Sequence, residues 1–132
     1  MIFLDTSGIY AILDRDDQNH AAAKECWFQL LDSGAPLLTT NYVIVESCAL
    51  VQHRLGIGAV RAIQEEILPL LRIEWIDKEV HALAMAVLLA AGRRKLSLVD
   101  CCSFLGVDER ASAWPSRSTG TSWRRAFDFR SR

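Results

Sequence analysis

The sequence predicts an α/β/α domain of three layers, with a mostly parallel central sheet covered by helices on both faces. Two observations carry the prediction. Short apolar runs alternate along the chain with longer stretches of helical period, the order expected when crossover helices join parallel strands. The 132 residues, 51% of them hydrophobic, suffice for one core and are too few for two ordinary domains.

The elements follow in order. Ile2-Phe3-Leu4 is an apolar run that ends in Asp5-Thr6-Ser7, a buried strand leading into a helix cap, with a first helix over about 8–13. Residues 17–31 have helical period through Ala21, Cys26, Phe28 and Leu31, and Ser33-Gly34-Ala35-Pro36 stops them. Pro36 to Thr40 reads as a second strand. From Asn41, the apolar positions Val43, Ile44, Cys48 and Val51 share one helix face until Gly56, and another helix covers about 57–68. Arg72 to Asp77 alternates polar and apolar, as a half-covered strand does. A helix over 81–91 ends at Gly92, and Ser97 caps a further helix that contains Asp100.

Composition narrows the function classes. A net charge of −1 speaks against broad electrostatic binding of nucleic acid, so any grip on RNA must be local. Cys26, Cys48, Cys101 and Cys102 have neither CxxC spacing nor histidines at zinc-site intervals, and they read as buried thiols. No run approaches the roughly 20 apolar residues of a membrane helix, and the first residues lack the pattern of a secretory signal. The expected location is the cytoplasm, with no membrane partner.

Three carboxylates stand out. In an open parallel sheet, sites form beyond the carboxyl ends of the strands. Asp5 lies at such an end, Glu46 lies early in the helix after strand two, and Asp100 opens a late helix. Each has a plainer reading: Asp5 as a helix cap, Asp100 as a first-turn acid favoured by the helix dipole. Glu46 is harder to dismiss, because it interrupts the apolar stretch Tyr42-Val43-Ile44-Val45. Converging acids suit a hard cation such as Mg²⁺ or Mn²⁺, and such an ion supports phosphodiester hydrolysis without a Ser/His or Cys/His pair.

The segments IFLDTSGIYAILDRDDQNHAAA, TTNYVIVES and RRKLSLVDCCSF resemble, in order and interval, three motifs of PIN-domain ribonucleases of the VapC toxin type. The resemblance spans about residues 1–110. It implies a metal-dependent endoribonuclease with Asp5, Glu46 and Asp100 as catalytic metal-binding carboxylates, supported by Thr6, Ser7 and Ser97. It also implies an RNA substrate, a cognate antitoxin and a homodimer. Asp17 and His20 fit a familiar aspartate-to-histidine spacing, with His20 read as structural. Arg93, Arg94 and Lys95 are candidate RNA phosphate contacts, and their alternative is a solvated helix end. Leu50, Leu55, Ile63 and Trp75 are candidate groove or dimer residues, with plain core as the alternative.

Residues 111–132 depart from that pattern. Residues 1–105 carry 9 basic and 13 acidic side chains, a balance of −4, whereas 106–132 carry 6 and 3, a balance of +3. The tail has no clear period. A family-like ending, Arg-Gly-Leu-Arg-Val-Ala-Leu-Ala-Phe-Asp-Arg-His-Phe, written in suitable codons and stripped of one G, spells Arg110 through Thr121 and opens Ser122. The expectation is a single-base frameshift near codon 111, which puts Thr119 where a fourth aspartate belongs and removes the last strand. Asp108 and Glu109 precede the break, and Asp128 has nothing to mark it as a replacement.

Two other classes compete. A catalytically weak or inactive PIN-like domain that still binds an antitoxin is favoured if the tail is real. A nucleotide-binding or phosphoacceptor domain would also use an aspartate at a strand end, but no Gly-rich loop follows strand one.

Overall fold

The computed structural model describes residues 2–111 and 124–125, with side chains described for 2–106. Four parallel strands, β1 (Ile2–Phe3), β2 (Leu37–Thr40), β3 (Arg72–Glu74) and β4 (Arg124–Arg125), form one sheet in the order β3-β2-β1-β4. The helices are α1 (Thr6–Leu13), α2 (His20–Ser33), α3 (Asn41–Leu55), α4 (Ile57–Ala62), α5 (Lys78–Ala91) and α6 (Leu98–Ala111).

The strand order fixes the layers. The chain steps from β1 to β2 to β3 in one direction and then returns across the sheet to β4. Right-handed crossovers therefore put α1 to α4 on one face and α5 and α6 on the other. The core divides accordingly. Phe3, Leu4, Ile9, Trp27, Val43 and Ile63 belong to one buried cluster, and Ile76, Val80, Ala84, Cys101 and Cys102 form a second. Ile63 is fully buried, so of its two readings, groove or dimer residue and plain core, it is core.

Local chemistry sets most boundaries. Thr39 is fully buried and its hydroxyl donates to Leu4 O at 2.9 Å, tying β2 to the end of β1. Thr40 caps α3 by accepting from Val43 N. Asn41 Oδ1 accepts from Ile76 N at 2.7 Å, which holds the chain leaving β3. Asp77 accepts from Val80 N and starts α5 three residues earlier than expected, so β3 stops at Glu74 and Trp75 is left 64% exposed. After α4, a π-helical turn (Ile63–Ile67) and a short 3₁₀ turn (Leu68–Leu70) lead to Leu71. Pro69 explains the change of winding, because it offers no N–H to the turn before it and its ring crowds the carbonyl four residues back.

One expectation is corrected at the sheet edge. Arg124 and Arg125 pair in parallel with Ile2 and Phe3, so the edge beside β1 carries a short final strand. Ladder bonds come from the backbone, so an atypical sequence can still supply them. The other residues of the expected atypical tail from 112 onward, Thr119 and Asp128 among them, lie outside the described residues, as do the side chains of Asp108 and Glu109. Among the described residues, no helix is long and apolar enough to cross a membrane.

Candidate functional site

β1 neighbours β2 on one side and β4 on the other, and the connections leave in opposite directions. Such a switch point opens a crevice beyond the carboxyl ends of the strands. Here it is a cavity of about 300 Å³. Asp5, Glu46 and Asp100 all line it, and so do Thr6, Ser7 and Ser97.

Each carboxylate reaches the crevice by a different local device. Asp5 is the N-cap of α1: its Oδ1 accepts from Gly8 N at 3.0 Å and from the Ser7 hydroxyl at 2.8 Å. The cap that competed with a functional role is real, and it also fixes the direction of the carboxylate. Asp100 stands in the first turn of α6, where its Oδ2 accepts from Ser97 N at 3.2 Å and Ser97 Oγ at 3.0 Å, while Asp100 N donates to Ser97 Oγ at 3.0 Å. This reciprocal pairing is a capping box. Glu46 lies on an exposed position of α3, next to the fully buried Ser47.

The lining groups capable of coordination are all oxygen donors, with no Cys or His among them. Thr6 keeps its hydroxyl buried without a hydrogen-bond partner among the described residues, so this wall has acceptor and donor capacity to spare. An oxygen-only set suits Mg²⁺ or Mn²⁺. Among the described residues, no three His, Cys, Asp or Glu side chains are gathered as a ready-made cage.

Residues not singled out for the site complete the wall. Asp17, Asn19, Tyr10, Leu50 and Ser103 also face the crevice. Asp17 Oδ1 accepts from Asn19 N at 2.7 Å, shaping the turn that brings both inward. The Asp17–His20 spacing was the available signal, and the two residues divide. His20 turns to the Ala11 carbonyl, 2.8 Å from Nδ1, a structural tie between α2 and α1.

The basic trio Arg93, Arg94 and Lys95 is exposed in the turn after α5, and none of the three lines the crevice. Of the candidate groove residues, Leu50 is in the wall, whereas Leu55 and Trp75 are exposed elsewhere. Cys101 and Cys102 are buried and Cys26 and Cys48 half-buried, all as free thiols. Burial raises the pKa of each, that of Cys102 to about 11, which makes them poor nucleophiles at neutral pH.

Comparison with known proteins places this geometry. Over 105 residues the chain is 30% identical to the 23S rRNA-specific endonuclease VapC20 of Mycobacterium tuberculosis, covering 79% of this chain and 78% of that protein. The crystal structure of Mycobacterium tuberculosis VapC20, described as a Sarcin-Ricin loop cleaving toxin, matches with a TM-score of 0.70 at 28% identity, covering 84% of each chain. FitAcB from Neisseria gonorrhoeae matches with a TM-score of 0.57 at 20% identity, over 84% of this chain and 83% of that one, and shows the shared fold. Residues 2–104 match the PIN domain family, and the chain belongs to it.

Proposed function

We propose that the protein is a VapC-type toxin, an endoribonuclease that hydrolyses a phosphodiester bond of structured RNA in the cytoplasm and is restrained by a cognate antitoxin. The observation that carries this reading is the convergence of Asp5, Glu46 and Asp100 on one oxygen-lined crevice in a chain 30% identical to an rRNA endonuclease. Asp5, Glu46 and Asp100 would hold Mg²⁺ or Mn²⁺. A bound ion of this kind lowers the pKa of a water and offsets charge that builds on the phosphate during in-line attack.

The chain's own groups set the stage for that step. Ser7 and Gly8 N aim the Asp5 carboxylate, and Ser97 aims that of Asp100. Such supporting bonds hold ligand orientation, and their loss commonly costs 10- to 100-fold in metal affinity or activity, as an order of magnitude. Phe3, Ala11, Leu50 and Val99 supply the apolar part of the wall. Arg93, Arg94 and Lys95 serve as outlying phosphate contacts. For a second copy of the chain and the antitoxin, α5 offers exposed Leu83 and Val87, one turn apart.

The test is incubation of the purified chain with 23S rRNA and with a hairpin carrying the Sarcin-Ricin loop. Slow cutting at one position in Mg²⁺ or Mn²⁺, abolished by EDTA, is the expected result. Cutting that persists in EDTA would remove the metal from the account. A second reading, a PIN domain with weak or no catalysis that keeps antitoxin binding, is favoured by the departure of residues 111–132 from the family pattern. It predicts antitoxin binding with no metal-dependent cutting.

A further inference from the structure

A cation packed against one residue of the crevice wall is left unused by the chemistry above. α3 carries Glu46, Leu50 and Arg54 at steps of four, which places all three along one helix face. Glu46 and Leu50 line the crevice, as does Tyr10 of α1. The guanidinium carbon of Arg54 stands 5.5 Å from the centre of the Tyr10 ring. Tyr10 is itself anchored, its hydroxyl donating to Asp14 Oδ2 at 2.5 Å. Arg54 is exposed and forms no salt bridge among the described residues, although the Asp14 carboxylate that Tyr10 holds is near enough to feel its charge.

We propose that Arg54, lying over the Tyr10 ring, is an RNA-positioning residue that holds a backbone phosphate of the strand entering the crevice, further along that strand than the bond that is cut. The inference rests on the ribonuclease reading above. Four acids, Asp5, Asp17, Glu46 and Asp100, face the crevice, and their field repels a polyanion until cations offset it. The chain as a whole supplies no compensating charge, at −1, so local cations at the rim must guide the strand. A guanidinium suits the task. Its planar fork can grip a phosphate through two parallel bonds. Set over an aromatic ring, it makes a cation–π contact that does not use up its N–H donors. Leu50 separates Arg54 from Glu46 by one helical turn on each side, so Arg54 addresses a phosphate further along the strand.

The plain structural alternative is that Arg54, in the last turn of α3, only complements the helix dipole and ties α3 to α1. Binding measurements separate the two. The full chain, with Glu46→Gln to preserve the RNA, is titrated with a short hairpin RNA between about 50 and 200 mM salt. Arg54→Gln in that background keeps much of the side-chain stem and removes the charge. It is expected to bind about tenfold more weakly at low salt, the scale of one charge-assisted contact. It should also lower the slope of log K against log salt by about 0.7, the share of one phosphate contact on a single strand. Arg54→Lys should keep the slope and recover only part of the affinity.

If Arg54→Gln matches its parent in slope and affinity while that parent binds RNA and the unmodified chain cuts it, the Arg54 proposal alone falls. If the chain neither binds nor cuts RNA, the ribonuclease reading falls and this inference with it. An unchanged slope for RNA together with weaker binding of a poly-glutamate peptide would assign Arg54 to a protein partner and overturn the proposal.

Discussion

Asp5→Asn is expected to lower RNA cleavage about 100-fold or more while changing stability by no more than about 0.5 kcal/mol. The two halves of that result come from two roles of one side chain. As an N-cap, Asp5 accepts from Gly8 N and the Ser7 hydroxyl through a single oxygen, Oδ1, and an asparagine carbonyl can make the same bonds. Asn and Asp are nearly equal as caps. What asparagine cannot supply is the negative charge that draws a cation into the crevice. Asp5→Ala should lose both functions, adding a destabilisation of about 1 kcal/mol for the missing cap. Thermal melts and single-turnover cleavage on the same three proteins check this. Parental cleavage in Asp5→Asn would reduce Asp5 to a cap.

The second large effect concerns the tail. Restoring the inferred reading frame near codon 111 returns an aspartate at the position of Thr119 together with the segment that supports it. Cleavage in Mg²⁺ or Mn²⁺ should rise by about tenfold or more, the scale on which a ligand or its support acts. Thr119→Asp alone should not achieve this, because a new carboxylate without its supporting shell is not held in place. The comparison uses the written chain, the restored chain and Thr119→Asp, each with and without EDTA. Equal activity in the written and restored chains would refute the frameshift account.

Much of the fold was legible because local signals agreed with one another. Apolar runs gave β1 and β2, Gly34, Gly56 and Gly92 marked helix ends, and Asp5-Thr6-Ser7 and Ser97 marked starts. What remained hidden depended mostly on local turn and cap geometry that a hydrophobic period does not carry. The start of α5 shifted because Asp77, not a residue near His81, supplies the cap. Ile63 was legible as groove, dimer or core residue, and its full burial selects core. That Asp5, Glu46 and Asp100 would line one crevice was legible from a strand end, an acid interrupting an apolar stretch and a helix start. Tyr10, Asp17 and Asn19 were not assigned to the site, because only the turn between α1 and α2 brings them to the wall.

Under the proposed function, Asp5, Glu46 and Asp100 hold one catalytic cation between them. Diffraction from crystals grown in Mn²⁺, recorded at the manganese absorption edge, tests it most directly. The expected result is an ion in the crevice with Asp5 and Asp100 oxygens at about 2.1 Å or bridged to it by water, the geometry of a small hard cation, and with Glu46 facing it. An ion bound elsewhere and touching none of the three, in a protein that still cuts RNA, would contradict the account.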